Sequence, residues 1–322
     1  MSALAPDTWL SFIEREYLDD FIRSGGASVK FAVPLDADAR RITLEHLRAR
    51  AAGLGYLVLE ASAVSTRVHM VDQLFHRFAE QLPWQELVRH RLLGLANSHA
   101  FRVPGEDDPS RPLADVLAAE NGLEQASVLQ EARIWIQDGI VKDHEMAKDF
   151  RVAMGSLAMA ELTGGPEGAT IMELITAWLT GRNRAISAVK PYGIRSRIMR
   201  TNARYFLESL VHWVRLSGRP GTMLLLDLDR LSVTRNPRDG QYHYTKASLL
   251  DTYEVLRQFI DSTDRLEATI LVVVPPPVFL ETDPGERGMG AYEALKFRVY
   301  DEVRDRSLVN PMATLVRLRD EA

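Results

Sequence analysis

Five segments of the chain are short and almost continuously apolar, a pattern typical of strands that are buried on both faces of a sheet. They are VKFAV (29–33), YLVLEASA (56–63), TMLLLDLD (222–229), ATILVVV (268–274) and ATLVRL (313–318). Amphipathic helical patterns follow the first, third and fourth segments, at 38–52, 246–263 and 288–306. Strands that alternate with helices over short connections predict an α/β fold with a mostly parallel, five-stranded sheet.

Residues 66–217 show helical patterns and no convincing strand. Helices are expected near 68–81, 83–97, 112–120, 124–160, 170–180 and 197–216. Breaks rich in Pro, Gly and acidic residues separate some of these helices. We therefore predict a large helical insertion between the second and third strands. The expected domains are 1–65 for the first part of the α/β core, 66–217 for the insertion and 218–322 for the second part.

Composition narrows the class of protein. The chain has 322 residues, 46% hydrophobic and 26% charged, which is enough for roughly two domains. A net charge of −5 gives no global reason to bind nucleic acid or anionic lipid. The absence of cysteine excludes disulfides, thiolate catalysis and Cys-ligated metals. The most apolar run is far shorter than the ~20 residues of a membrane span, so we expect a cytoplasmic protein without membrane contact.

The turn after the first strand stands where a phosphate-binding loop would lie in a nucleotide-binding protein. When G-x-x-x-x-G-K-[ST] is aligned from Pro34, both glycines are replaced, the lysine becomes Arg40 and the hydroxyl residue becomes Arg41. Asp36 or Asp38 is placed to cap the next helix, whose amides would otherwise attract phosphate. The turn therefore indicates a loop that does not bind an anion, although Arg40 could still reach a phosphate.

The third strand ends in two aspartates. A carboxylate at the carboxyl edge of an open α/β sheet lies where ligands bind, and in P-loop NTPases such an Asp helps to hold Mg²⁺. Asp227 fits that metal position, and Asp229 shares its face because side chains alternate along a strand. Leu228 stands where the water-polarising Glu would be and cannot act as a base. A structural cap at the strand–loop junction is the alternative reading.

These two regions supply the candidate nucleotide site. Its cofactor-binding candidates are Arg40, Arg41, Asp227 and Asp229, with Asp227 also the candidate metal ligand. Three prolines after the fourth strand offer no side-chain donor for a γ-phosphate. The residues identify no catalytic group, argue against ATP hydrolysis and leave open whether ATP and Mg²⁺ bind.

A second candidate is a basic segment between residues 181 and 204, which contains no acidic residue. Its cations are Arg182, Arg184, Lys190, Arg195, Arg197, Arg200 and Arg204. On the expected helix, Arg197, Arg200 and Arg204 would lie along one face. Such a face suits phosphates of DNA, RNA or a nucleotide, the acidic surface of a partner protein, or simple solvation. The sequence does not decide among the three.

Six stretches of the sequence carry a resemblance to a known family. They are YLDDFIRSGGASVKFAVP, TRVHMVDQLFHRFAEQLPW, AVKPYGIRSRIMRTNARYFLESLVHWVRLSGRPG, LLLDLDR, LDTYEVLRQFIDSTD and RGMGAYEALKFRVYDEVRDR. With them the chain resembles the ATP-binding P-loop family of BREX bacteriophage-defence systems, the BrxC/BrxD-like group of AAA+-type ATPases. The resemblance covers nearly the whole chain except the region around 100–160.

The resemblance implies an AAA+-like, P-loop NTPase-type core, a helical insertion and a place in a multi-component antiphage complex. Active members use a Gly-rich loop with Lys and Ser/Thr, and an Asp-Glu pair after the third strand. Of that set only Asp227 is kept. The expected function is a degenerate, pseudo-ATPase scaffold or regulatory subunit that contacts other subunits and DNA. The alternatives are an ATP-binding switch or ATPase that uses Arg40, Arg41 and Asp227, and a nucleic-acid-binding module that uses the basic segment.

Overall fold

The computed structural model describes residues 3–105, 108, 110–229, 231, 235, 240, 244–300 and 310–320. The chain forms two compact units, of which the first contains residues 1–78 and 219–322 and the second contains residues 79–218. The first unit is therefore built from the two ends of the chain, and the second from the middle.

The first unit is built on a five-stranded sheet in which every neighbouring pair is parallel. Its strands are β1 (Ala27–Pro34), β2 (Leu57–Ser62), β3 (Thr222–Asp227), β4 (Thr269–Val274) and β5 (Leu315–Leu318). They lie in the order β2-β3-β4-β1-β5, so β1 lies between β4 and β5. The predicted fold class is confirmed, because this is an α/β fold consistent with a P-loop NTPase-like domain.

The described residues form twelve α-helices. They are α1 (Pro6–Ile13), α2 (Ala37–Gly53), α3 (Val71–Ala79), α4 (Trp84–Ser98), α5 (Leu113–Asn121), α6 (Gln125–Ile136), α7 (Lys148–Thr163), α8 (Gly165–Leu179), α9 (Ile186–Val189), α10 (Ala203–Leu216), α11 (Lys246–Asp261) and α12 (Glu293–Val299). None of these helices is long and apolar enough to cross a bilayer.

Three expected helices differ from those observed. The helix expected over 124–160 is split into α6 and α7, because Asp143 turns the chain between them and accepts a hydrogen bond from the Glu145 amide. The helix expected from residue 197 begins only at Ala203. The helix expected over 288–306 is α12, and residues 301–309 lie outside the described part of the chain.

The core of the first unit lies on both faces of the sheet. On one face α1 and α2 cover apolar side chains of β1, β3 and β4. On the other face Phe31 stacks on Phe279, which contacts Tyr253 of α11 edge to face. Among the described residues of this unit, one charged side chain is buried. Lys30 of β1 donates to the Met312 carbonyl at 2.7 Å and lies 4.3 Å from the centre of the Tyr17 ring. Continuous apolar strands are thus explained by burial on two sides.

The second unit is helical, and its described residues contain no strand. Gly164 joins α7 to α8, and it and Gly165, the first residue of α8, both have positive φ. A Cβ on Gly168 would lie 2.6 Å from the Ala160 carbonyl oxygen, so glycine there allows the two helices to approach closely. A buried ion pair, Arg89 with Glu161 at 2.6 Å, lies within this unit.

Candidate functional site

Helix α2 begins directly after β1, and its first turn is capped by a side chain. Asp36 has extended backbone angles and accepts a hydrogen bond from the Ala39 amide at 2.7 Å. Its second oxygen accepts from the Asp320 amide at 3.4 Å. Asp36 rather than Asp38 is therefore the N-cap. An amide that could have met a phosphate at this helix terminus is satisfied by the protein itself.

Arg40, in the first turn of α2, reaches across the carboxyl edge of the sheet. Its Nη2 lies 2.5 Å from Oδ1 of Asp227 and donates to the Val274 carbonyl at 3.0 Å. Its Nη1 donates to the Pro275 carbonyl at 3.4 Å, and its Nε lies 3.7 Å from Oδ1 of Asp229. The side chain is only 15% exposed. One guanidinium thus joins the ends of β3 and β4 to the start of α2.

Arg41 lies elsewhere. Its guanidinium is 3.2 Å from Glu45 and 3.6 Å from Asp38, both on the same helix, and its side chain is 57% exposed. The structure therefore brings Arg40, Asp227 and Asp229 together and leaves Arg41 in contacts within α2. Leu228, between the two aspartates, is fully buried.

The sequence analysis did not identify a second arginine of α2, Arg48, that also contacts the sheet. Arg48 binds both carboxylate oxygens of Glu60 in β2, at 2.5 and 2.8 Å. This hydrogen bonding raises the pKa of Arg48, with burial opposing the rise. The signal was present, because Glu60 is the one charged residue within the second apolar run. Together, Arg40 and Arg48 tie α2 to β3, β4 and β2 by charge-assisted hydrogen bonds.

The described residues contain no group of three or more His, Asp or Glu side chains that could hold a metal ion. The guanidinium of Arg40, which belongs to α2, contacts the carboxylates of both Asp227 and Asp229. Their contacts are those of an ion-pair cluster at the sheet edge.

The basic segment is also described by the structure. Arg182 pairs with Glu173 at 3.2 Å, and Arg204 lies 3.4 Å from Glu208. The remaining cations of the segment have exposed side chains: Arg184, Lys190, Arg195, Arg197 and Arg200. Because α10 begins at Ala203, Arg197 and Arg200 lie before the helix. The prediction that they share a helical face with Arg204 is wrong.

Residues 194–202, which we call the arginine loop, have a defined shape without being helical. The side chain of buried Asp149 in α7 accepts hydrogen bonds from the Arg195 amide at 3.2 Å, from the Ser196 amide at 2.6 Å and from the Ser196 hydroxyl. At the other end, Asn202 accepts from the Met199 amide at 2.8 Å and donates to the Arg197 carbonyl at 2.9 Å. These bonds explain why the chain does not continue α10 backwards, since they satisfy the backbone in another conformation.

Comparisons with known proteins were made for the whole chain. Residues 114–320 match the family described as BREX system ATP-binding protein BrxC/D. The matched region includes β3, β4, β5, Asp227 and the arginine loop, while Arg40 and the turn after β1 precede it. Comparison with curated proteins found no match. Comparison with solved structures found none either. Because the family match covers more than half of the chain, the protein belongs to the BREX system ATP-binding protein BrxC/D family, a component of a multi-protein phage-defence system.

Proposed function

We propose that this protein is a degenerate AAA+-like subunit that acts as a scaffold or regulator in its phage-defence complex and does not hydrolyse ATP. The observation that carries the proposal is the ion pair between Arg40 and Asp227. In an active P-loop protein the residue at the position of Arg40 binds phosphate, and the carboxylate at the position of Asp227 helps to hold Mg²⁺. Here the two groups neutralise each other.

ATP with Mg²⁺ does not fit the residues present at this edge of the sheet. The Ala39 amide donates to Asp36, so the start of α2 carries a carboxylate where a phosphate would bind. Pro34 has no N–H, and Arg41 offers no hydroxyl for a metal. Buried Leu228 replaces the residue that would polarise water. These features support a loss of both phosphate binding and hydrolysis.

A second function, an ATP-binding switch, rests on the description of the family as ATP-binding. In that case Arg40 would leave Asp227 and bind phosphate, Asp227 would be free for Mg²⁺, and Arg41 would assist from the same helix. The switch requires the ion pair to break, which costs free energy because Arg40 is mostly buried.

A third function is contact with DNA through the basic segment. The exposed cations of the segment support it, since exposed arginines and lysines neutralise backbone phosphates. This contact is compatible with the scaffold function, because a subunit of a defence complex can hold DNA without hydrolysing ATP.

Isothermal titration of the purified chain with ATP and Mg²⁺ separates the first two functions. We expect the wild type to show no binding tighter than about 100 μM, which corresponds to roughly −5.5 kcal/mol. Asp38→Ala is the matched control, since it removes the same negative charge from an exposed side chain of α2 that does not pair with Arg40. Binding by the wild type and by Asp38→Ala that disappears in Asp227→Ala would establish the switch and end the pseudo-ATPase proposal.

The scaffold function has its own test. The chain, expressed with the proteins encoded beside it, should co-purify with at least one of them whether or not ATP is added. Asp227→Asn should leave this co-purification unchanged if nucleotide plays no part. A complex that forms only with ATP, and that Asp227→Asn abolishes, would contradict a nucleotide-independent scaffold.

A further inference from the structure

Within the basic segment the cations fall into two classes. Arg182 and Arg204 have glutamate partners. In contrast, Arg184, Lys190, Arg195 and Arg197 have exposed side chains and make no ion pair with the described residues. A solvated helix face usually carries charges of both signs, which pair across one turn. Two of these unpaired cations, Arg195 and Arg197, lie within three residues of the arginine loop. The loop itself contains no carboxylate side chain.

The loop is anchored by buried side chains and hydrogen bonds, while its Arg195 and Arg197 side chains are exposed. Ile194 and Ile198 are buried and anchor it at two points. Between and beside them Arg195 and Arg197 are exposed. Burial of the Asp149 carboxylate is unfavourable unless it is hydrogen-bonded, and here its three donors all come from the loop. Order of this kind lowers the entropy that is lost when the arginines bind a ligand.

Two large apolar side chains are exposed in the loop and in the helix that follows it. Met199 is 52% exposed in the loop, and Tyr205 is 44% exposed in the first turn of α10. The Tyr205 hydroxyl donates to the His144 carbonyl at 3.2 Å, which holds the ring at the surface. Exposed guanidinium groups that lie close along the chain to an exposed aromatic ring and a thioether suit a ligand that presents both phosphates and the faces of unpaired bases.

We propose that the arginine loop is a preorganised binding surface for single-stranded nucleic acid, in which Arg195 and Arg197 contact phosphates, Met199 and Tyr205 contact bases, and Asp149 positions the loop. This inference rests on the proposed nucleic-acid contact and specifies it. A duplex fits less well. The major groove admits an α-helix or a two-stranded β-ribbon, and the arginine loop is neither. Duplex bases are also stacked and leave no face for Tyr205 to cover.

Fluorescence anisotropy with a labelled oligo-dT strand and a duplex of equal length tests the proposal on the full chain. The wild type should bind the single strand more tightly than the duplex. Removing two phosphate contacts in Arg195→Ala/Arg197→Ala should weaken single-strand binding by about tenfold or more and reduce the slope of log affinity against log salt by about 1.4.

The matched control is Arg15→Ala/Arg298→Ala, which removes the same charge from two exposed arginines that lie outside the basic segment and are paired with Glu16 and Asp261. Its affinity should stay within about twofold of the wild type, because global charge acts weakly over distances beyond a Debye length. An equal loss in both double variants would show that only net charge matters, and would overturn the inference. Tyr205→Ala should weaken single-strand binding by about tenfold and leave duplex binding unchanged.

Asp149→Ala tests the positioning role, because the loss of a negative charge and the loss of positioning would change the affinity for nucleic acid in opposite directions. Removal of an acidic group near a nucleic-acid surface should strengthen binding through charge alone. If Asp149 positions the loop, binding should instead weaken, and Asp149→Ala should add little to Arg195→Ala/Arg197→Ala. Asn202→Ala removes the hydrogen bonds at the other end of the loop without a change in charge. If Asp149→Ala does not fold, weaker single-strand binding by Asn202→Ala tests the same positioning. Stronger or unchanged binding in the folded variant would overturn the positioning role.

The outcomes separate this inference from the broader proposal. If the wild type binds neither oligonucleotide at low salt, the nucleic-acid contact and the arginine loop surface both fail. If it binds DNA and Arg195→Ala/Arg197→Ala has no effect, the loop surface fails while DNA contact stands. A preference for the duplex overturns the single-strand specificity. None of these results depends on ATP, so the pseudo-ATPase proposal is tested separately.

Discussion

At the scale of single residues, Arg40 contacts groups from β3, from the end of β4 and from the loop after β3. Arg40→Ala would leave the Asp227 carboxylate and two carbonyl groups without this donor. We expect a loss of about 2–3 kcal/mol in the free energy of unfolding, since a mostly buried ion pair is broken on one side only. Arg41→Ala should cost less than about 0.5 kcal/mol, because its partners are exposed. Urea denaturation of both variants would measure the difference, and equal losses would contradict the role of Arg40.

Lys30 makes stability depend on pH above neutrality. Burial lowers the pKa of its amine from 10.5 to about 8. Between these values the unfolded chain binds the proton and the folded chain does not, so stability rises with pH from about 8 to 10.5. Below pH 8 the folded state carries the full unfavourable contribution, roughly 3 kcal/mol.

Lys30→Met removes this titration. The stability of the wild type relative to the variant should therefore increase between pH 8 and pH 10, as measured by urea denaturation at several pH values. The difference between the two proteins should be constant from pH 6 to pH 7.5. A difference that does not change at alkaline pH would show that the amine titrates normally.

At the scale of elements, helix α2 depends on its cap. Asp36→Ala should cost about 1 kcal/mol, because the Ala39 amide loses its acceptor. Asp38→Ala is the control, since Asp38 lies in the same turn with an exposed side chain and should cost less than about 0.5 kcal/mol. Chemical denaturation of both variants measures the effect. If Asp38→Ala is the more destabilising change, Asp36 is not the cap.

Hydrogen bonds of Glu254 between α11 and the start of α12 make the stability of the fold depend on acidic pH. Glu254 accepts hydrogen bonds from Arg257 and from the Tyr292 hydroxyl, at 2.7 and 2.6 Å. The bond from Arg257 contributes most to lowering the pKa of Glu254 from 4.5 to about 2, with burial opposing the shift. Its stabilisation is present above pH 4.5 and is lost as pH falls towards 2.

Glu254→Gln should therefore be less stable than the wild type at pH 6, and the difference should shrink as pH falls below 4.5. Thermal unfolding between pH 3 and pH 6 would test this. Tyr292→Phe keeps the Arg257 contact and should show a smaller effect with the same dependence on pH. A difference that grows on acidification would contradict the depressed pKa.

The elements were largely predictable from the sequence because their signals are local. Each observed strand begins and ends within two residues of a predicted apolar run. One error arose where a distant side chain decides the backbone. Nothing near residue 197 reveals that Asp149 accepts hydrogen bonds from the Arg195 and Ser196 amides, so the helix was expected to begin too early. Likewise, the alignment with a P-loop identified Arg40, but its partner Asp227 is 187 positions away and only the fold brings them together.

At the scale of the whole molecule, the fold and the family agree, while the sequence departs from the P-loop motif at the turn after β1. The parallel sheet and the match over residues 114–320 fit a nucleotide-binding ancestry. Departures from the P-loop pattern lie at the turn after β1, which precedes the matched region, and at Leu228, which lies within it. Membership of the family therefore does not by itself establish that this chain binds ATP.

We expect the melting temperature of the full chain to be unaffected by ATP and Mg²⁺. A ligand that binds the folded state with a Kd above about 1 mM stabilises it by less than about 0.4 kcal/mol at 1 mM, which is below a one-degree shift for most proteins of this size. Differential scanning calorimetry with and without 1 mM ATP and Mg²⁺ would measure this. A rise of several degrees that Asp227→Ala removes would contradict it.

If the protein is the nucleotide-independent subunit proposed above, the ion pair of Arg40 has a consequence during infection. In an ATP-dependent subunit, depletion of the cellular nucleotide pool by a replicating phage would change the shape of the protein and weaken the complexes that depend on it. Here the cation that joins the strand ends is encoded in the chain and cannot be depleted. A defence complex built around the proposed scaffold would keep its architecture in a cell depleted of ATP, when its ATP-dependent components no longer act.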